Sequence, residues 1–258
     1  MNFFMRVIRA IKRRVYAPQV RVTSAESVVR LGSSYGGWSF VDRPALHDGL
    51  VVSCGLGEDA SFDVELAQRY GCRIVIVDPT PRAVEHFQQL RFHCGQPASR
   101  PYTSHGTQDV RSYDLQSVSE NQFMLVAKAL TNQCGEVKFF APPDENAVSY
   151  SLVNFQNGYA QNTAHIEVEA IDARSLLTEA GLGDVALMKL DIEGAEIVVI
   201  PDLLESGFRP EQILVEFDEL NWPSRLSTER FAGVHSQLME AGYMVSHFDG
   251  RSCVSYVR

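Results

Sequence analysis

Four charged side chains stand close together in a stretch of sequence that is otherwise apolar. The segment LMKLDIEGAEIVVI, residues 187–200, contains Lys189, Asp191, Glu193 and Glu196. Burying a charge costs free energy unless the charge is paired or used in chemistry. Because side chains alternate along a strand, Lys189 and Asp191 should share one face, where they can form an ion pair. A carboxylate at the end of such a strand can accept a proton from a substrate or orient it.

These considerations make Asp191 the candidate base or substrate-orienting acid. We include Lys189 and Glu193 with it as candidate catalytic residues. Glu193 and Glu196 have a second explanation, because acids stabilise the N-terminus of a helix and these two have capping-box spacing. That structural role therefore stays open for both glutamates.

A glycine-containing segment, SCGLGEDA, lies between a predicted strand and a predicted helix. Gly55 and Gly57 let a backbone approach a ligand closely, and the helix that follows offers free N–H groups. Asp78 lies 23 residues after Gly55 and ends the next predicted strand. An acid there can accept hydrogen bonds from ribose hydroxyls. The pattern fits a nucleoside cofactor, either S-adenosylmethionine or a nicotinamide dinucleotide.

Two acids beside the glycines favour one of these cofactors. Glu58 and Asp59 would repel a pyrophosphate, whereas they suit the ammonium and sulfonium groups of S-adenosylmethionine. We also assign Pro79, directly after Asp78, and Ala129, at the end of a third predicted strand, to the cofactor site.

A further pair of acids, Glu216 and Asp218, ends the next predicted strand and should face the same cleft. With Asp191 they could hold Mg²⁺, which would lower the pKa of a substrate hydroxyl. The alternative, which we adopt, assigns no metal and lets both acids orient substrate hydroxyls. The polar loop 141–163 supplies further substrate candidates that can stack on a sugar or bond its hydroxyls: Tyr150, Asn154, Phe155 and Tyr159. Simple solvent exposure is the alternative for this loop.

Short apolar runs alternate with amphipathic stretches from residue 50 onward, which predicts a parallel sheet covered by helices on both faces. Pro201 predicts a break in the helix after the charged segment. Asp249-Gly250 predicts a type I′ turn in a C-terminal hairpin. The predicted strands are 50–54, 73–78, 122–130, 135–140, 165–171, 185–191, 212–219, 243–248 and 251–257. The predicted helices are 60–70, 81–93, 173–181, 194–207 and 227–241.

The composition excludes some classes of function. A formal net charge of -9 disfavours nucleic acid as a partner. Five cysteines without a C-x-x-C pair indicate reduced thiols and a cytoplasmic protein. The spacing of His86, His93, Cys94 and His105 fits no usual metal site. No apolar run is long enough to predict a membrane-spanning helix.

The N-terminus differs from the rest of the chain. Residues 1–18 carry five of the 23 Lys and Arg residues and no acid. They also contain an apolar stripe at helical spacing: Phe4, Val7, Ile8, Ile11 and Val15. This pattern predicts either peripheral contact with the inner face of an anionic membrane or a helix packed on the domain or on a partner, with solvated arginines. We treat 1–35 as an N-terminal extension and 36–258 as one domain, and predict no oligomeric state.

Three segments resemble the FkbM family of S-adenosylmethionine-dependent methyltransferases: GLGEDASFDVELAQRYGCRIVIVDPTP, LMKLDIEGAE and ILVEFDEL. The resemblance implies an α/β, Rossmann-like class I methyltransferase fold, with a seven-stranded, mostly parallel sheet and an antiparallel C-terminal hairpin. It further implies O-methylation of a hydroxyl on a sugar, glycan or natural product. Two alternatives are an NAD(P)-dependent oxidoreductase and a catalytically silent cofactor-binding partner protein.

Overall fold

The structure is a computed structural model that describes residues 12–143, 150–154, 157, 160–181, 183–221 and 223–258. Its strands are β1 (Val28–Leu31), β2 (Trp38–Val41), β3 (Leu50–Cys54), β4 (Arg73–Val77), β5 (Phe123–Val126), β6 (Ala129–Leu130), β7 (Gly135–Phe140), β8 (His165–Ile171), β9 (Leu187–Leu190), β10 (Gln212–Glu216), β11 (Met244–Phe248) and β12 (Cys253–Val257). From residue 61 onward its α-helices are α1 (Ser61–Tyr70), α2 (Pro81–His93), α3 (Ala173–Glu179), α4 (Glu196–Glu205), α5 (Asp218–Asn221) and α6 (Arg225–Glu240).

Seven strands form the main sheet, in the order β11-β12-β10-β9-β3-β4-β5. The pairs from β10 to β5 are parallel, whereas β12 is antiparallel to both β10 and β11. The predicted Rossmann-like sheet with a reversed last strand is therefore confirmed. Because β3 pairs with β4 on one side and β9 on the other, the chain changes direction across the sheet between β3 and β9. Ligands bind at such switch points in open α/β sheets.

The central strands are apolar on both faces because helices cover both sides. All five residues of β3 are buried, which explains its continuous apolar sequence. On one side Phe62 of α1 and Phe87 of α2 pack against the sheet, and on the other Val199 of α4 and Phe231 of α6 do so. These two apolar cores, one on each face of the sheet, fix the positions of the strands. They thereby also fix the positions of the residues that follow each strand.

The sequence predicted several element ends closely. Helix α1 ends at Gly71, whose φ of 66° is the left-handed conformation that favours glycine at a helix C-terminus. Helix α2 has the predicted bounds, with Pro81 at its first turn. The predicted pairing of residues 135–140 with 165–171 is also present, as the antiparallel pair β7–β8 of a second, three-stranded sheet.

Two expectations about the continuity of predicted elements were wrong. The stretch 122–130 divides into β5 of the main sheet and β6 of the small sheet, so Ala129 lies outside the main sheet. Helix α4 runs through Pro201 without a break, because Val199, Ile200 and Leu203 on its apolar face are buried in the core. The missing proline N–H removes one backbone hydrogen bond, which this packing outweighs.

The C-terminal hairpin has a longer connection than a two-residue type I′ turn. Residues 249–252 join β11 to β12. The Asp249 carboxylate accepts hydrogen bonds from the N–H groups of Arg251, Ser252 and Cys253 at 2.7, 2.9 and 3.0 Å. An aspartate that bonds the backbone just after it favours this wider loop.

Strands β1 and β2 form an antiparallel hairpin that the sequence did not predict. Because β1 precedes residue 35 and β2 follows it, the hairpin crosses the predicted boundary between extension and domain. Further upstream, the N–H groups of Thr23 and Ser24 donate to the Val245 carbonyl on β11 at 2.8 and 2.9 Å. The segment from residue 23 onward is therefore attached to the domain.

Candidate functional site

A cleft of about 860 Å³ opens at the carboxyl ends of β3, β4, β9 and β10. This volume lies within the range of small-molecule binding sites. Among the predicted site residues that the structure describes, all except Asn154 line it: Gly55, Gly57, Glu58, Asp59, Asp78, Pro79, Ala129, Tyr150, Lys189, Asp191, Glu193, Glu216 and Asp218. The sheet brings these residues together because parallel strands end at the same edge.

Gly55 directly follows β3 and lies against the backbone that ends β9. Its φ is 84°, and a Cβ placed on it would lie 1.8 Å from the Asp191 carbonyl oxygen. No other residue type fits that position without moving the end of β9. Gly57, with φ of 55°, continues the same turn. The two glycines therefore allow the ends of β3 and β9 to pack closely, in addition to any role in binding a ligand.

Asp78 holds the glycine loop from the end of β4. Its Oδ2 accepts hydrogen bonds from the N–H groups of Leu56 and Gly57 at 2.9 and 3.1 Å. Its Oδ1 accepts from the Thr80 N–H at 2.8 Å and from the Thr80 hydroxyl at 2.7 Å. Asp78 lines the cleft as predicted, and it also fixes the shape of the loop.

Glu58 and Asp59 have partners that the sequence argument did not include. Glu58 forms an ion pair with Arg82 and accepts a hydrogen bond from the Thr107 hydroxyl at 3.0 Å. Asp59 accepts from the Ser33 hydroxyl at 2.6 Å and from the Ser61 N–H at 3.0 Å. Arg82 offsets the charge of Glu58, so Glu58 repels a pyrophosphate less than the sequence suggested, whereas the neutral partners of Asp59 leave its charge in place.

The N–H groups at the start of α1 are occupied in a similar way. The Ala60 N–H donates to the Tyr113 hydroxyl at 2.9 Å, and that hydroxyl lies 2.8 Å from Nε2 of buried His86. With Leu56, Gly57 and Ser61 also bonded, four N–H groups of this turn already have acceptors within the protein. A pyrophosphate needs such N–H groups free, so this loop does not resemble a dinucleotide site.

Lys189 lies beneath the cleft floor, with only 5% of its side chain exposed. Its ammonium donates a hydrogen bond to the Gly55 carbonyl and lies 3.8 Å from Asp191 Oδ2. It also sits 5.5 Å from the centre of the Trp38 ring, a cation–π distance. The predicted pairing with Asp191 is present, and the lysine also joins the glycine loop to β9.

A fully buried acid, Asp63 of α1, lies on the same side of the sheet as Lys189. Burial raises the pKa of Asp63, and the Lys189 ammonium and the Ser53 hydroxyl partly offset this effect. The Lys189 ammonium therefore interacts with two carboxyl groups, those of Asp63 and Asp191.

Asp191 stands at the end of β9 and keeps 34% of its side chain accessible from the cleft. Burial raises its pKa to about 7; Lys189 lowers it, whereas Glu216 and Asp78 raise it further. A carboxyl group with a pKa near neutrality can both accept and release a proton, which suits a general base.

Glu216 and Asp218 face the same cleft but differ in environment. Glu216 Oε1 accepts hydrogen bonds from the Asn221 side-chain amide at 3.0 Å and the Ser252 hydroxyl at 3.1 Å. Asp218 begins α5 instead of ending β10, and its Oδ2 is buried without a hydrogen-bond partner among the described residues. Burial and the nearby Glu216 and Glu219 carboxylates raise the pKa of Asp218 to about 7.

The possible magnesium set of Asp191, Glu216 and Asp218 gains no support from the geometry. Within the described part of the chain, no three His, Cys, Asp or Glu side chains are arranged to hold a metal ion. Burial and repulsion by neighbouring carboxylates, Glu216 in both cases, explain the raised pKa of Asp191 and Asp218.

The two glutamates of the charged segment have different roles. Glu196 is completely buried, and its carboxylate accepts hydrogen bonds from the N–H groups of Ile192 and Gly194 at 2.8 and 2.9 Å. Its role is therefore structural. Glu193 lines the cleft in a left-handed conformation, with φ of 54°. Such backbone strain in a residue other than glycine is concentrated at functional sites.

The two described substrate candidates of the loop 141–163 also have different roles. Tyr150 lines the cleft, whereas Asn154 does not. Asn154 is largely buried, and its amide nitrogen donates to the Ala160 carbonyl and the Thr163 hydroxyl, both at 2.9 Å. It holds the loop together instead of facing a substrate. Phe155 and Tyr159 lie outside the described residues.

Several cleft residues were missed by the sequence argument, among them Tyr35, Trp38, His247 and Arg251. Tyr35 lies between β1 and β2; burial raises the pKa of its hydroxyl, as do the charges of Asp191, Glu193, Glu216 and Asp59. The only sequence signal here was the SSYGGW segment, whose glycines indicate a turn. The turn's position over the cleft depends on a hairpin that local patterns did not reveal.

The order of the strands and the acid-lined cleft at their carboxyl ends agree with the family comparison. The family described as "Methyltransferase FkbM domain" matches residues 48–245, which is more than half of the chain. The chain belongs to the FkbM methyltransferase family. No curated protein matches the chain significantly. The FkbM match includes the glycine loop, Asp78, the charged segment, Glu216 and Asp218.

The buried acids of this FkbM-family protein predict a pH-dependent effect of one substitution. A raised folded-state pKa means that the stability contributed by Asp218 is complete below about pH 4 and is lost as the pH rises through about 7. Asp218→Asn should therefore raise Tm more at pH 8 than at pH 5. The difference should be about 1–2 kcal/mol, or roughly 2–8 °C, after a reduction for coupling between the acids.

The pH dependence of the wild-type Tm alone does not isolate Asp218, because burial lowers the pKa of His86 and His235 and these histidines make the protein more stable as the pH rises. The difference in Tm between variant and wild type at each pH removes their contribution. Thermal unfolding by circular dichroism at both pH values measures the difference. Asp184→Asn is the matched control, because that carboxylate is exposed. An equal gain for Asp218→Asn at pH 5 and pH 8 would show that Asp218 does not carry a buried charge.

Proposed function

We propose that this protein is an S-adenosylmethionine-dependent O-methyltransferase acting on a hydroxyl of a sugar, glycan or natural product. The observation that carries the proposal is Asp191, a carboxyl group with a pKa of about 7 that faces the cleft beside the glycine loop. Its position at the switch point between β3 and β9 is where a cofactor and a second substrate can meet.

The cleft fits S-adenosylmethionine better than a dinucleotide. Gly55, Gly57, Asp78 and Pro79 would hold the cofactor, which presents hydroxyl and ammonium donors to acceptor groups of the protein. The occupied N–H groups at the start of α1 leave little to bind a pyrophosphate. When bound, the cofactor supplies an electrophilic methyl group on a sulfonium.

The chain's own residues then supply the acid–base chemistry. Asp191 accepts the proton of the acceptor hydroxyl as that oxygen forms its new C–O bond and the C–S bond breaks. Lys189, 3.8 Å from Asp191 Oδ2, stabilises the ionised carboxylate before the proton arrives. Glu216, fixed by Asn221 and Ser252, orients a neighbouring hydroxyl. Positioning of the two reactants supplies much of the rate.

Calorimetry tests the cofactor assignment. S-adenosylhomocysteine should bind, whereas NAD and NADP should give no heat of binding. Transfer of a labelled methyl group to sugars and glycans then tests the reaction, and the product should resist mild alkali because an ether, unlike a methyl ester, is not hydrolysed. Tight binding of NADP, or a label released by alkali, would contradict the proposal.

A further inference from the structure

The first described residues form a surface that is both basic and apolar. Residues 12–16 are helical, and Lys12, Arg14, Val15 and Tyr16 are exposed. The Ala17 N–H donates to the Arg13 carbonyl at 3.0 Å, which closes the last turn. Val15 is 65% exposed and Tyr16 40% exposed. The chain therefore presents apolar and cationic side chains together in one turn of helix.

Val15 tests one explanation of the apolar stripe. A helix packed on the domain would bury Val15, because that residue belongs to the stripe. Its exposure shows that the described end of the stripe does not pack on the domain. Leu226 in the first turn of α6 is also exposed, at 57%.

This surface lies at the same edge of the sheet as the cleft. The Thr228 hydroxyl donates to the Tyr16 carbonyl at 2.6 Å, and Thr228 belongs to the first turn of α6. Helix α6 follows the carboxyl end of β10, where Glu216 lines the cleft. Tyr16 and Leu226 are therefore placed at the edge where the cleft opens.

The distribution of charge identifies what this surface can bind. Residues 1–25 contain six of the 23 Lys and Arg residues and none of the 32 acids. The remaining residues have 17 cations and 32 acids, a charge of -15, so an anionic surface would repel them. Residues 1–11, directly before Lys12, add Arg6 and Arg9 together with apolar side chains.

We propose that this surface, formed by Lys12, Arg14, Val15, Tyr16 and Leu226, docks on an anionic lipid bilayer and turns the cleft edge toward it. Interfacial binding needs both features that the surface combines: cations for the lipid head groups and apolar side chains for the acyl boundary. We call these five residues the N-terminal surface. Its docking on a bilayer is a function separate from methyl transfer.

Sedimentation of the full-length protein with vesicles tests the proposal. The protein should bind phosphatidylcholine vesicles that contain about 30% phosphatidylserine and should not bind phosphatidylcholine alone. The double variant Lys12→Gln/Arg14→Gln should bind about 25-fold more weakly, because each cation near an anionic surface contributes about five-fold. Val15→Ser should also weaken binding, and added salt should reduce binding by the wild type.

The matched control is Arg73→Gln/Lys138→Gln, which removes two exposed cations from outside the N-terminal surface and should bind as the wild type does. Calorimetry with S-adenosylhomocysteine on every variant reports folding and cofactor binding separately from lipid binding. A wild type that ignores anionic vesicles at low salt would overturn the docking. Unchanged lipid binding by the double variant would overturn it too. Self-association in ultracentrifugation that depends on the same residues would assign the surface to a second copy of the chain instead.

Discussion

Gly55→Ala is expected to destabilise the protein by about 4 kcal/mol or more and to abolish binding of S-adenosylhomocysteine. The added Cβ would lie 1.8 Å from the Asp191 carbonyl oxygen, a distance at which the two atoms overlap. The neighbour is backbone at the end of β9, so no side-chain rotation relieves the clash. Either β3 or β9 must shift at its carboxyl end, where the cleft begins.

A second glycine separates this clash from ordinary backbone strain. Gly95 has φ of 85°, almost the same as the 84° of Gly55, but a Cβ on Gly95 meets nothing within 4 Å. Gly95→Ala should therefore cost about 1–2 kcal/mol, the strain of a left-handed residue alone. Chemical denaturation measures both costs, and calorimetry measures cofactor binding. Equal costs for the two variants would mean that the β3–β9 junction tolerates a side chain.

The fold was largely predictable because its signals are local. Strands β3 and β4 appear as short apolar runs, α1 ends at a glycine, and α2 begins at a proline. The reversed strand β12 followed from the hairpin signal at residues 249–250. Each of these features depends on neighbours in the sequence, so the sequence alone indicates it.

The candidate site was predictable only in part, because its partners come from distant segments. The sequence placed acids at the ends of β4, β9 and β10, and the cleft contains them. It could not show that Arg82 pairs with Glu58, or that Asp59 bonds Ser33, 26 residues earlier. Those contacts depend on how loops cross the edge of the sheet, which no periodic pattern encodes.

The glycine loop and the charged segment act as one unit. Lys189 donates to the Gly55 carbonyl, while the Asp191 carbonyl leaves no room for a side chain on Gly55. A shift of either strand end therefore moves both the predicted cofactor loop and the candidate base. This mutual dependence explains why a buried lysine stands next to an acid at this point.

Asp191→Asn is expected to lower kcat by about 10²–10⁴-fold while S-adenosylhomocysteine binds within a few-fold of wild type. Asparagine keeps the shape of the side chain but cannot take the proton of an acceptor hydroxyl. Steady-state kinetics on the true acceptor, together with calorimetry, separates the two effects. EDTA should leave wild-type turnover unchanged, because the proposed mechanism uses the carboxylate without a metal. Loss of turnover in EDTA and its return with Mg²⁺ would instead support the metal set.

The pH profile distinguishes a base from a residue that only orients the substrate. Because burial raises the pKa of Asp191 to about 7, the wild-type rate should fall about ten-fold between its plateau and pH 6. Glu216→Gln removes a nearby negative charge that raises this pKa, so the acidic limb should move to lower pH. Ser246→Ala is the control, since that buried hydroxyl donates to the Ser255 carbonyl and its loss removes no charge. If Asp191→Asn kept near-full activity, or if the limb stayed in place in Glu216→Gln, the proton would have another acceptor. The carboxylates of the charged segment would then serve the strand junction alone.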